Sequence, residues 1–188
     1  MWERNPHTMI EKLYKAGQVM AFVPMMVMPG ASLAVKDVSL GSSSPSTIVI
    51  EKSKQEVRKE RSEAINKYFK DHEAPLEGKG LQFVLVAEKY GLDWRLLPAI
   101  AMRESTGGKF ACKNNPFGWG SCRLSGFKSY DEAIETVGRH LGGGAKSTAH
   151  YYAGKTTEEK LYHYNDAVEP GYKAQVLAIM DSVEKRLD

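Results

Sequence analysis

Residues 94–104, WRLLPAIAMRE, constrain this chain more than any other stretch. Leu97, Ile100, Ala101 and Glu104 fall at i, i+3, i+4 and i+7, so on a helix they share one face, and that face is apolar except for its last member. An apolar stripe of this kind belongs in a core. A carboxylate at its end loses part of its hydration, which disfavours the charged form and raises the pKa towards the range where a general acid works. The non-functional alternative is a helix-end glutamate that bonds nearby amides or pairs with Arg103 or Lys109. Asp93 suits the N-cap of this helix. Pro98, at about the fifth helical position, is expected to remove one hydrogen bond and bend the helix slightly.

The helix runs straight into a loop, residues 105–128, of glycines, paired asparagines and aromatics. Such a loop is costly to order, so something is gained by holding it still. Asn115, Phe117, Gly118 and Trp119 supply amide and ring surfaces of the kind that grip a sugar, with small residues nearby where a polymer can approach the backbone. The chain's two cysteines, Cys112 and Cys122, flank this stretch and read as a disulfide in an exporting context. Closing a loop of about 11 residues contributes roughly 2.8 kcal/mol in the chain-entropy model. Two free thiols or half a metal site are the alternatives. His7, His72, His140, His150 and His163 show no zinc-like spacing to the cysteines, so no metal is expected.

The remainder of the 188 residues fits one domain with an appendage. Val19 to Met28, VMAFVPMMVM, is apolar, too short to span a bilayer comfortably, and followed by a small-x-small site at Ser32-Leu33-Ala34. Residues 1–34 therefore read as a signal peptide, with a retained membrane anchor as the alternative. Residues 35–56, with GSSSPST, a β-prone IVIE and a charged run, read as a flexible linker, and the folded domain is expected over 57–188. Its periodicity is helical. Ser129/Glu132 and Thr156/Glu159 form capping boxes, Gly91 suits a C-cap, and Pro170 is expected in the first turn of a last helix whose stripe includes Tyr172, Val176 and Met180. The fold class is mainly α: about six helices around one long ordered loop or small β-hairpin. A net charge of +3 lacks the dense clustering of a nucleic-acid binder, and no nucleic-acid partner is expected.

Four segments in order, AIAMRES, NNPFG, FKSYDEAIE and EPGYKAQVLAIM, resemble the bacterial endo-β-N-acetylglucosaminidase family of cell-wall hydrolases, within the lysozyme-like superfamily. The resemblance runs from about residue 58 to 188. It implies a lysozyme-like α+β fold around a glycan groove, with peptidoglycan strands as partner, a monomer, no cofactor, and a secreted or envelope-associated location. Membrane contact would come only through the N-terminal segment. It makes Glu104 the general acid and Tyr172 the tyrosine beside the scissile bond. Asn115, Phe117 and Gly118 would line the groove, with Trp119 as a further binding residue, and Tyr130 would hold the loop against the next helix.

One departure bears on mechanism: residues 105–130 contain no Asp or Glu that could serve as a second carboxylate. Asp131 and Glu132 are explained as helix-start residues, and Asp166 and Glu169 as further candidates. The expected chemistry is a single essential acid, completed by the substrate's 2-acetamido group or a held water. Of the nine tyrosines, Tyr151, Tyr152, Tyr162, Tyr164 and Tyr172 cluster late in the chain, where helix packing and sugar stacking explain them equally. The alternatives are a lytic transglycosylase or muramidase on the same scaffold, a non-catalytic glycan-binding module, or a tethered interaction domain.

Overall fold

The computed structural model describes residues 45–121 and 126–187, all within one structural unit. The proposed signal segment and the first part of the expected linker lie outside the described residues. The described residues form a mainly α fold of seven helices: α1 (Pro45–Asp71), α2 (Gly80–Tyr90), α3 (Leu96–Ser105), α4 (Tyr130–Leu141), α5 (Ala149–Tyr152), α6 (Thr157–Leu161) and α7 (Tyr172–Glu184). A π-helical turn, Tyr162–Asp166, follows α6 directly. In place of a β-hairpin, the described part of the long loop has an isolated bridge between Cys112 and Asn115.

The central element is α3, in which every residue from Leu96 to Met102 is buried. A helix apolar on all sides has to be surrounded, and α2, α4 and α7 all pack against it. Phe69, Phe83, Leu97, Ile100, Ile134, Leu161 and Tyr172 fill the core between these elements. Each such side chain contributes about 1.5–3 kcal/mol by leaving water. α4 reaches α2 closely because position 138 is glycine: a Cβ there would lie 2.3 Å from Val86 Cγ1.

Three local expectations are corrected. Residues 45–56 are helix rather than flexible linker, IVIE included, although 51–57 are exposed. Once Ile65, Tyr68 and Phe69 are packed, helix propagates backwards one hydrogen bond per residue through the Glu-, Lys-, Gln- and Arg-rich run 51–63 and on through the β-branched residues 47–50, with Pro45 at its first position. Pro98 costs α3 no hydrogen bond, because the helix starts at Leu96 and places Pro98 in the first turn, where an N–H has no intrahelical acceptor. Pro170 precedes α7 instead of opening it. The N-terminus of α7 is capped from a distance by Asp166, whose Oδ1 accepts from the Gly171 N–H at 3.2 Å and the Lys173 N–H at 3.0 Å.

The capping signals match in part: Asp93 is not the N-cap of α3, a position held by Arg95, and its Oδ1 instead accepts from the Arg95 N–H at 2.9 Å ahead of the helix. Thr156 and Glu159 form a complete box at α6. At α4 the Ser129 side chain accepts from the Glu132 N–H, while the Glu132 carboxylate reaches one residue further out to the Lys128 N–H at 2.6 Å.

Candidate active site

Glu104 occupies the last turn of α3, at the edge of the core, and is half-buried. Burial raises its pKa above the ordinary carboxylate value. The Tyr172 hydroxyl and the Arg103 guanidinium pull it down, and the Glu169 charge pushes it up again. Desolvation is the largest of these effects, so the net shift is upward.

Directly after it, the chain turns sharply. Thr106 has φ 52°, and the Thr106 and Gly107 N–H groups bond back to Met102 and Ala101 carbonyls at 2.9 and 3.1 Å. Left-handed backbone at a β-branched residue is strained, and Lys113, Asn114 and Ser121 in the same loop also have positive φ. Strain of this kind persists only where surrounding structure dictates it. Ser105 supplies part of that structure: its buried Oγ lies 2.8 Å from the Pro116 carbonyl oxygen and accepts from the Gly108 N–H at 3.0 Å. Asn115, 3% exposed, clasps the next turn by donating to the Trp119 carbonyl at 2.8 Å and accepting from its N–H at 3.1 Å. Cys112 is disulfide-bonded; the chain's other cysteine, Cys122, lies outside the described residues.

These fastenings bring the loop backbone onto the acid. A Cβ at Gly118, whose φ is +63°, would sit 3.0 Å from Glu104 Oε2. Glycine is required there by both the backbone conformation and the close approach.

The opposite wall comes from the π-helical turn. A π-turn inserts one extra residue into a helix and recurs at functional sites; here the adjacent residues Tyr164 and Asn165 both line the cleft. Tyr164 donates to the Phe117 carbonyl at 2.6 Å and stacks on Tyr172, ring centroids 6.0 Å apart. The resulting open cleft of about 390 Å³ is lined by Glu104, Phe117, Gly118, Trp119, Gly120, Tyr164 and Asn165. Trp119 packs over His140 and beside Tyr152 and Tyr164. Burial and neighbouring Arg139 lower the pKa of His140, whose ring lies against the indole.

Tyr172 is fully buried behind the acid. Its hydroxyl interacts with the Glu104 carboxyl by proximity but completes no hydrogen bond of regular geometry. Arg103 lies over its ring at 5.4 Å, donates to Gln175 at 2.6 Å and pairs with Glu169. Tyr172 is thus a wall behind the acid and does not line the cleft.

Of the residues singled out from sequence, Glu104, Phe117, Gly118 and Trp119 meet at the cleft. Asn115 does not line it: its amide is spent beneath the loop. Phe117 contributes to the lining while its side chain is almost wholly in the core, 1% exposed. Tyr130 lies against Gly108 outside the cleft, in position to support the loop. The sequence reading missed Asn165, Gly120, Ser105 and Arg103, and treated Tyr164 as one of several equivalent tyrosines. The YND run carries no local signal for a π-turn.

Each acid considered as a second carboxylate is already engaged. Asp131 pairs with Lys79 at 2.9 Å, Glu132 caps α4, Asp166 caps α7, and Glu169 is held between Arg103 and the Asn165 amide. No group of three or more metal-ligating side chains occurs among the described residues. No family model, no curated protein and no solved structure matches the chain.

Proposed function

We propose that this chain is a glycoside hydrolase of the endo-β-N-acetylglucosaminidase kind, with a lysozyme-like fold, that cleaves β-1,4 bonds in peptidoglycan outside the cytoplasm. The observation that carries the reading is Glu104: a carboxyl whose pKa is raised by burial, yet opening onto an aromatic-walled cleft, with every nearby carboxylate committed elsewhere. An open cleft suits a polymer that enters from the side, and Trp119 offers a ring face to a sugar. The disulfide at Cys112 supports an oxidising compartment.

In this reading the Glu104 carboxyl protonates the glycosidic oxygen as the bond to the anomeric carbon breaks. The carbonyl oxygen of the substrate's 2-acetamido group closes on that carbon, giving an oxazolinium ion and a released chain end. Water then adds to the anomeric carbon, its proton passes to the Glu104 carboxylate, and the acetamide is regenerated. One acid suffices because the substrate provides the nucleophile.

The test is product analysis by mass spectrometry after incubating the full chain, wild type and Glu104→Gln, with isolated peptidoglycan. Reducing N-acetylglucosamine ends from the wild type alone are expected. Reducing muramyl ends would reassign it as a muramidase, and anhydro-muramyl ends as a lytic transglycosylase. A folded wild type that pellets with the wall and releases nothing would be a binding module. Retention of anomeric configuration in the first product, followed by NMR, supports the acetamido route; inversion would mean direct attack by a held water.

A further inference from the structure

Asn165 lines the cleft beside Glu104, and its amide has a fixed polarity. The Nδ2 group donates to Glu169 Oε2 at 3.0 Å, and Glu169 is anchored by Arg103. Arg103 is itself fixed by Gln175 and the face of Tyr172. A carboxylate can only accept, so this chain of contacts leaves the Asn165 amide no freedom to flip. Its Oδ1 makes no hydrogen bond among the described residues. The residue sits on the π-turn, whose extra residue brings Asn165 to the cleft alongside Tyr164. The structure therefore presents a preorganised acceptor, fixed by Glu169, Arg103, Gln175 and Tyr172, on a residue that lines the compartment holding the acid.

We infer that Asn165 Oδ1 accepts the N–H of the 2-acetamido group of the sugar bound next to Glu104, a role that rests on the glycosidase reading above. An acetamide offers one acceptor and one donor. If its carbonyl oxygen closes on the anomeric carbon, its N–H needs a partner elsewhere, and a fixed acceptor holds the group in the reactive orientation. As the carbonyl oxygen bonds to carbon, nitrogen gains positive character and its N–H becomes a stronger donor. The bond to Oδ1 thus strengthens between bound substrate and transition state, which raises turnover more than affinity. Glu169 and Arg103 are positioning residues for this acceptor.

Two measurements separate this role from the parent reading. In the inactive Glu104→Gln background, binding of β-1,4-linked N-acetylglucosamine tetramer is followed by calorimetry. Asn165→Ala is expected to weaken it about tenfold, the factor for one hydrogen bond. The pair Asn165→Asp with Glu169→Gln keeps an oxygen acceptor at position 165 and reverses the polarity of the bond behind it, so affinity is expected to recover towards that of the parent. In the otherwise wild-type chain, Asn165→Ala is expected to lower kcat on peptidoglycan by about 100-fold while KM rises far less. Thermal melts of every variant confirm folding. Unchanged binding and kcat, or a rise in KM alone, would overturn the role of Asn165 and leave the glycosidase reading standing. A parent that neither binds the tetramer nor cleaves the wall would overturn both.

Discussion

Replacing Gly118 by alanine tests whether the loop backbone sets the position of the acid. Two costs can be worked out separately. The backbone holds φ at +63°, and a side chain in left-handed backbone costs about 1–2 kcal/mol. For a domain of this size that lowers the melting temperature by roughly 2–6 °C. The new Cβ also lies 3.0 Å from Glu104 Oε2, where ordinary contact begins at 3.4 Å, so the carboxyl must retreat by roughly 0.4 Å. Misplacing a reacting group by about 1 Å costs about 100-fold, so a displacement of this size is expected to lower kcat/KM by about tenfold. Gly91 supplies the control: its φ is also +63°, and a Cβ there meets nothing within 4 Å. Gly91→Ala should therefore melt as early as Gly118→Ala while retaining full activity on peptidoglycan. Equal activity losses in the two variants, or full activity in Gly118→Ala, would refute the close-approach reasoning.

The other two predictions concern stability. Because burial raises the Glu104 pKa, the native state holds a proton that the unfolded chain gives up, and the carboxyl's contribution to stability falls as pH rises from the ordinary carboxylate range through the raised value. Glu104→Gln carries no charge to desolvate, so its urea midpoint should exceed that of wild type at pH 7, with the gap closing near pH 4; a less stable variant at pH 7 would contradict the desolvation. Ser105→Ala leaves the buried Gly108 N–H and Pro116 carbonyl without the hydroxyl, a loss of about 1–3 kcal/mol in urea unfolding, and an unchanged midpoint would show that Ser105 does not fasten the loop.

What could be read from the sequence was local. The stripe on α3 and its terminal carboxylate, the Thr156 box and the buried face of α7 are all encoded within one or two helical turns, and they appear as read. The loop residues were harder. NNPFG announces an ordered turn, but which side of that turn faces solvent depends on Ser105 and Trp119 meeting it in space, so Asn115 reads as a groove residue when it is a clasp. Asn165 was invisible for a related reason: a π-turn is stabilised by what packs around it, here Tyr164 on Tyr172 and Phe117, and no short-range pattern marks it. At α1 the polar, serine-rich approach suggested a linker because composition does not register helix propagating outwards from a packed segment.

The Arg103 contacts also bear on when the site comes into being. Glu169 and Gln175 lie 66 and 72 residues beyond Arg103, and Tyr164 and Tyr172, one walling the cleft and the other backing the acid, belong to the same late stretch. A chain growing from its N-terminus completes α3 early and exposes Glu104 as an ordinary solvated carboxylate. The groups that desolvate and orient it are supplied only when residues 164–175 have been made and docked. In the proposed reading, competence to cleave waits on residues 164–175, and a polypeptide stopped short of them carries Glu104 without the surroundings that raise its pKa.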